Sequence, residues 1–311
     1  MDWTTLLPPY VPVRLPSQGK LYTQEELKAG FVDIREYAAP EESLLASANR
    51  DNMQRVISSV LDSCIKGDWD IGVLTAEDSY YLLVWLRANS YSPDYDIEIA
   101  CPNCSPESTV PYVINLASLE VKYLEADVTE PFAVTLPKTK LKVSLKAVRR
   151  SDEVKAQERV GEVRKYKGVK GDPSGLLRRS YSIARIEHPD GTEITDRLSI
   201  ENLCLSYLPS KDSLFIDEQL KQFAHGIDPN VEIVCKMCSK KFSTVLPPSI
   251  EFFRPSRYVQ GSKDSNASGD FGLIDTRQVG QSVLEDTESE GSESVSTDGK
   301  KEDRLEGDTD T

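Results

Sequence analysis

The sequence predicts an α+β protein. The expected parts are an extended N-terminal arm, a small helical bundle, a zinc ribbon formed by two distant CxxC knuckles, a mixed α/β insert, and a disordered acidic C-terminal tail. Three observations carry this expectation. Apolar residues between Pro40 and Ser90 recur at helical spacing after a proline-rich start. Two CxxC pairs sit in matching strand-like flanks. Acidic residues crowd the end of the chain.

Composition narrows the function classes. The 311 residues suit one large domain or two modest ones. The balance of 37 Lys and Arg against 51 Asp and Glu gives a formal charge of −14. A pI near 4.8 argues against a dedicated nucleic-acid binder. The longest apolar run, Tyr80 to Leu86, falls far short of the ~20 residues that cross a bilayer, so no membrane association is expected. Met1-Asp2-Trp3 has neither the basic start nor the apolar core of a signal peptide. With only His188 and His225, histidine-based catalysis has little to work with.

The arm covers residues 1–39. Prolines 8, 9, 12 and 16 keep it extended. A turn around Gly19 follows, and alternation from Phe31 to Tyr37 reads as a strand. Residues 40–92 are helical. Pro40-Glu41-Glu42 opens a short helix, with proline and acids in its first turn. A second helix, starting near Asp51, puts Met53, Val56, Ile57, Val60, Leu61 and Cys64 on one face. Thr75 caps a third, which runs through Tyr81, Leu82, Trp85 and Leu86 to Asn89-Ser90. The three helices are expected to pack on the first ribbon half.

The ribbon halves are residues 93–120 and 228–257. Cys101-Pro102-Asn103-Cys104 and Cys235-Lys236-Met237-Cys238 lie about 130 residues apart. A CxxC turn lets two thiolates grip one ion from the same side, and two such knuckles complete a tetrahedral S4 site suited to Zn2+. The flanks repeat: Ile97-Glu98-Ile99-Ala100 leads into the first pair and Val231-Glu232-Ile233-Val234 into the second. Strand-like runs follow each pair, Val110 to Leu116 and Phe242 to Leu246. The expected ligands are Cys101, Cys104, Cys235 and Cys238, holding one structural zinc. Disulfides, a redox pair and a catalytic zinc are the other readings; four thiolates leave no open position for water. Cys64 and Cys204 lie in apolar helical patterns and read as core thiols.

The insert, residues 121–227, starts with a hairpin of Phe132 to Leu136 and Leu141 to Val148 around Pro137-Lys138-Thr139-Lys140. Ser151 is expected to cap a helix to Tyr166, and further helices are expected at Leu176 to Ile186, Asp196 to Tyr207 and Lys211 to His225. His188 falls in a Pro-Asp-Gly turn, and His225 is placed at a helix end, where a cation complements the dipole. The stretch from Lys138 to Lys170 is basic but poor in aromatic stacking residues, which favours a solvated or protein-docking face over a nucleic-acid surface. The tail, residues 258–311, is acidic: Gly261 to Thr311 holds 5 Lys and Arg against 14 Asp and Glu. It is too poor in large apolar residues to offset the ordering of its backbone. Phe271-Gly272-Leu273-Ile274 is its apolar cluster and a candidate partner-binding segment.

No P-loop, GxGxxG or GxSxG occurs, so no enzyme, small-molecule substrate or further cofactor is expected.

Leu15-Pro16-Ser17-Gln18-Gly19-Lys20-Leu21-Tyr22 resembles the opening of the baseplate hub proteins of T-even-type bacteriophages. The family is also similar at Glu41-Glu42-Ser43-Leu44-Leu45, at Leu83-Val84-Trp85-Leu86-Arg87-Ala88-Asn89-Ser90-Tyr91, at both CxxC pairs and at Phe252-Phe253-Arg254-Pro255. The resemblance spans Pro8 to Pro255 and is most specific up to Cys104. It implies a non-enzymatic protein of contractile-tail assembly, either a hub component or a hub assembly factor. Its partners would be other baseplate and tail-hub proteins, met in the host cytoplasm during assembly or in the virion tail. The rival readings are a nucleic-acid-binding zinc-ribbon protein and a zinc-dependent hydrolase or redox enzyme.

Overall fold

A computed structural model describes residues 3–49, 52–104, 109–125, 128–166, 171–246 and 250–253. The expected acidic tail, with its Phe271 to Ile274 cluster, lies outside these residues, as does the end of the second ribbon segment beyond Phe253.

The N-terminal arm is extended, as its prolines require. β1 (Val11–Arg14) pairs antiparallel with β2 (Phe31–Ile34). Between them the chain turns through Ser17 to Tyr22 and the short α1 (Glu25–Lys28). Gly19 has φ +78°, and a Cβ there would lie 2.5 Å from the Lys28 carbonyl oxygen, so both conformation and space demand glycine.

The helical region matches the apolar spacing. α2 (Ala39–Ala46) carries Pro40 in its first turn, and α3 (Met53–Cys64) buries Met53, Val56, Ile57, Val60, Leu61 and Cys64 on one stripe. α4 (Ala76–Ser90) is capped by Thr75, whose Oγ1 accepts the Asp78 N–H at 3.1 Å. Two antiparallel hairpins follow α4 at widely separated points in the sequence. The first joins β3 (Asp94–Ala100) to β4 (Thr109–Asn115); the second joins β11 (Asn230–Val234) to β12 (Lys241–Val245). One apolar core unites arm, helices and both hairpins: it runs from Val13 to Leu116 and resumes at Ile227, Ile233, Leu246, Phe252 and Phe253. This is the body of the protein.

The insert leaves the body at β5 (Val121–Lys122) and returns at β10 (Gly226–Ile227). These two strands pair antiparallel, so a two-rung neck closes the insert at its root. Inside, β6 (Phe132–Thr135), β7 (Lys142–Leu145), β8 (Ile183–Glu187) and β9 (Glu193–Ile194) form one four-stranded antiparallel sheet in that order. α6 (Ser174–Ser182) and α7 (Arg197–Asn202) pack on β8 and α8 (Ser210–Leu220) adds Ile216 to the sheet's core, whereas α5 (Arg150–Tyr166) packs against α6 and the body's α3; the short α9 (Ile250–Phe253) returns to the body. The insert has its own core of Leu136, Val143, Leu145, Ile183, Ile186, Ile200, Cys204 and Ile216. The β6–β7 turn is docked on α8: Asp212 accepts the Lys138 and Thr139 N–H groups at 2.7 and 2.9 Å.

Three expectations for the insert change. The helix expected through Ile186 stops at Ser182, because Ile183 and Ile186 are needed on the buried face of β8 against β7. Ser151 is not a cap; the helix starts at Arg150, and Asp152 takes the Arg149 N–H at 3.1 Å. The helix expected through His225 ends with a 3-10 turn at Phe223.

His225 therefore lies beyond the helix end. Its side chain is fully buried, with Nε2 2.9 Å from Thr75 Oγ1 and 3.5 Å from Asp78 Oδ1. Asp78 also accepts the Tyr22 hydroxyl at 2.6 Å and the Ser17 N–H at 3.0 Å. Burial, then the Asp78 carboxylate beside it, raises the Tyr22 hydroxyl well above its ordinary value. The same N-terminal turn reaches the insert: Gln18 and Lys20 donate to the Leu124 carbonyl, and Arg149 donates to the Leu21 carbonyl. The Leu15 to Tyr22 string is thus the joint that ties arm, α4 and insert together.

Candidate metal centre

Strand pairing brings the four predicted cysteines to one place. Each hairpin closes at its own base in the same way. The Leu116 N–H donates to the Pro93 carbonyl at 2.7 Å, and the Leu246 N–H donates to the Pro229 carbonyl at 2.7 Å. Counting from those bases, Ile97 faces Tyr112 in the first hairpin, and Ile233 faces Phe242 in the second. The first hairpin is longer towards its tip, with Ile99 opposite Val110 and Ala100 opposite Thr109 as its last rungs.

Each tip carries a knuckle of the same build. The Asn103 N–H points at the Cys101 Sγ and the Met237 N–H at the Cys235 Sγ, each at 3.4 Å. The Ser239 N–H donates to the Cys235 carbonyl at 2.8 Å, and Ser239 takes the left-handed conformation that closes the turn, φ +59°. Cys101 and Cys235 are 1% exposed, while Cys104 and Cys238 are half-buried. The first cysteine of each pair thus faces inward and the second outward.

The contacts that unite the sulfurs cross between the halves. Cys101 Sγ lies 3.8 Å from Cys238 Sγ, and Cys104 Sγ lies 3.8 Å from Cys235 Sγ. All four ligand atoms lie within 4.8 Å of one another. A disulfide needs about 2.05 Å, and all four cysteines are free thiols. A tetrahedron with metal–sulfur bonds of about 2.3 Å has edges of about 3.8 Å, so the cross-pair spacing fits four sulfurs around one ion. Among the described residues, this is the group of His, Cys, Asp and Glu side chains that converges tightly enough to hold a metal ion.

Two of the thiols are shifted in opposite directions. Backbone N–H groups of Cys238 and Met237 bring the Cys235 thiol down to about 6. Shared hydrogen bonds with Cys238 and its neighbours, together with partial burial, push Cys104 up to about 12.

Side chains outside the knuckles hold the halves in place. Tyr112 on β4 accepts the Lys236 N–H at 3.2 Å. Lys236 Nζ lies 5.2 Å from the Tyr112 ring centroid and donates to the Pro111 carbonyl at 2.9 Å. At the base, the Tyr80 hydroxyl donates to the Leu246 carbonyl at 3.1 Å. Buried Arg87 donates to the carbonyls of Phe252 and Ser92, at 2.6 and 2.7 Å. The Tyr95 and Phe252 rings meet edge to face, with centroids 5.2 Å apart.

Sequence reasoning did not single out Tyr112, Lys236 or Arg87. Tyr112 gave one usable signal: a lone aromatic at the inward register of a strand that follows a CxxC pair. Cys64 and Cys204 stay apart from the quartet, one in each core; burial pushes Cys64 up to about 12 and Cys204 up to about 11. His188 is exposed on the β8–β9 turn, 3.2 Å from Asp190.

A family model described as T4 bacteriophage base plate protein matches residues 12–254. No curated protein and no solved structure matches the chain.

Proposed function

This chain belongs to the T4 bacteriophage base plate protein family, and we propose that it acts without catalysis in building the baseplate hub, with one structural Zn2+ on Cys101, Cys104, Cys235 and Cys238. The observation that carries the reading is the extent of the match. It runs from the arm through both knuckles to Arg254, so the matched stretch of this chain includes all four cysteines. The donor set favours zinc. Four thiolates at tetrahedral spacing suit a closed, redox-inert site and leave no coordination position for a substrate. Zinc bound there supplies folding free energy and fastens two chain segments that the insert separates.

The resulting body is a rigid protein-docking module, and its partners are other baseplate and tail-hub proteins. It would meet them in the host cytoplasm during assembly and in the virion tail. No helix among the described residues is long and apolar enough to cross a membrane. The nucleic-acid alternative draws little support from the insert. Arg149, Arg150, Arg159, Lys142, Lys146 and Arg164 are each paired with a carboxylate, which lowers the positive field available to phosphates.

Native mass spectrometry of protein expressed with zinc tests the metal. One bound zinc is expected, lost in Cys101→Ser/Cys235→Ser. Tagged protein recovered from infected cells tests the setting; recovery without any tail component would end the hub reading.

A further inference from the structure

We propose that peroxide exchanges the metal closure of the body for a covalent one, forming disulfides Cys101–Cys238 and Cys104–Cys235 across the two halves as zinc leaves. The starting state of this exchange is the zinc site proposed above; its end state depends only on where the sulfurs lie.

Three features of the quartet point to it. The sulfurs already stand in cross-half pairs, with 3.8 Å between Cys101 and Cys238 and 3.8 Å between Cys104 and Cys235. A bridge of about 2.05 Å asks each pair to close by about 1.8 Å, which modest side-chain rotations supply. Each pair also joins unlike members. Cys104 and Cys238 are half-buried, whereas Cys101 and Cys235 are 1% exposed. An oxidant arriving from solvent therefore meets one sulfur of each pair, with the other held beside it. Lastly, contacts that need no metal keep the knuckles facing each other. The Lys236 N–H donates to the Tyr112 hydroxyl at 3.2 Å, and Lys236 Nζ donates to the Pro111 carbonyl at 2.9 Å.

The chemistry balances. Metal-bound cysteines are thiolates. An outer thiolate attacks peroxide, the O–O bond breaks, hydroxide leaves and a sulfenic acid forms. The inner thiolate of the same pair attacks that sulfur and expels a second hydroxide, which leaves the disulfide. Two peroxides thus take four electrons from four thiolates and yield two bridges, four hydroxides and free Zn2+. The bridges join residues 137 and 131 positions apart, so each removes more freedom from the unfolded chain than a bridge inside one knuckle. The body stays closed after the metal is lost. On the hub reading the chain folds in a reducing cytoplasm and leaves it in the virion, passing from conditions that keep thiols to conditions that keep disulfides.

The test treats the zinc-loaded full chain with two equivalents of hydrogen peroxide. A chromophoric chelator should record the release of one zinc per chain. Alkylation and peptide mapping without reduction should find the Cys101–Cys104 segment joined to both cysteines of the second knuckle. Fragmentation between Cys101 and Cys104 should assign Cys101 to Cys238 and Cys104 to Cys235. Cys64 and Cys204, buried in separate cores, should remain thiols. Hydrogen exchange should find β3, β4, β11 and β12 still protected in the oxidised, zinc-free chain and unprotected in the reduced, chelated chain. Dithiothreitol should restore the uptake of one zinc. Bridges confined to Cys101–Cys104 and Cys235–Cys238, sulfinic acids without bridges, or a site that keeps its zinc in peroxide would overturn the exchange and leave the zinc reading standing. A chain that takes up no zinc yet forms both cross-half bridges would overturn the zinc reading and keep the pairing.

Discussion

The body and the insert are held together by different means. The insert core is drawn from one stretch of chain, Leu136 to Ile216, with sheet and helices packed close to where the sequence places them. The body core must recruit Ile233, Leu246, Phe252 and Phe253 from beyond the insert. Bringing such distant segments together carries a loop-closure cost that nearby packing does not meet. The fold offsets it at both ends of the joint, with the neck of β5 and β10 and the Arg87–Phe252 clasp at one end and four sulfurs at the other. Closure of the body is thus concentrated in a few contacts, while cohesion of the insert is spread over many.

Metal removal breaks this comparison most sharply. Structural zinc sites of this kind couple on the order of 10 kcal/mol of binding to folding. Chelation, or Cys101→Ser/Cys235→Ser, should strip hydrogen-exchange protection from β3, β4, β11 and β12. The β6–β8 pairing should keep its protection. Equal loss in both regions would mean that the two cores unfold as one.

Next in size is the buried Arg35–Glu41 pair of the body. Two guanidinium nitrogens meet the two carboxylate oxygens at 2.8 and 3.1 Å, and Ser63 and the Ala38 N–H complete the shell. Glu41→Gln leaves a buried guanidinium without its charge partner and should cost about 3–5 kcal/mol in urea unfolding. The pH dependence has a definite sign. Burial pushes the Glu41 carboxyl up, but hydrogen bonds from Arg35, Ser63 and Ala38 outweigh it and hold the group down to about 2, below its ordinary 4.5. A carboxyl depressed in the folded state contributes stability above 4.5, and that stability fades as pH falls towards 2. The unmodified protein should lose stability across that window, and Glu41→Gln should show a shallower slope there.

How much of this was legible in the sequence depends on whether the signal was local. The stripe from Met53 to Cys64 and the Thr75 cap were readable, because helix periodicity and capping are set within a few residues. The cysteine pairs were readable because ligand chemistry restricts residue type and spacing. Residues 183–187 were misread: Ile-Ala-Arg-Ile-Glu places its isoleucines three apart, which fits a helix, and only the edge offered by β7 decides for a strand. The match between the halves was seen but offset. Aligned on their cysteines, Ile99 corresponds to Ile233; aligned on the hairpin base, Ile97 does. The offset is two residues, one full strand period, so every side chain keeps its face and the sequence pattern cannot reveal it. Tyr112 and His225 act on partners more than a hundred residues away, and no local pattern announces such contacts.

Leu145→Ala examines the insert. Leu145 is fully buried between strand neighbours in its core, so truncation should cost about 2–5 kcal/mol. If closure of the body is independent, the variant should still bind one zinc and keep protection in β11 and β12 while β7 and β8 lose theirs. Loss of zinc with Leu145→Ala would place insert folding upstream of the metal site.

The smallest expected effect concerns which contacts of the insert carry weight. Its ion pairs divide by exposure. Arg159 meets Glu201 through two bonds of 2.7 and 3.1 Å, and the Glu201 side chain is 2% exposed. Arg185 meets Glu193 at 2.9 Å across the β8–β9 edge, with 42% and 52% of those side chains exposed. Solvent screens the second pair and both side chains lose freedom to form it, so a double-mutant cycle on Arg185 and Glu193 should return less than about 1 kcal/mol and shrink further with salt. The cycle on Arg159 and Glu201 should exceed it and resist salt, because Glu201 has exchanged water for the guanidinium. Equal couplings in the two cycles would mean that the edge of the sheet is as well shielded as the space beneath α5. The insert would then owe its cohesion to its charged rim as much as to Leu145 and its neighbours.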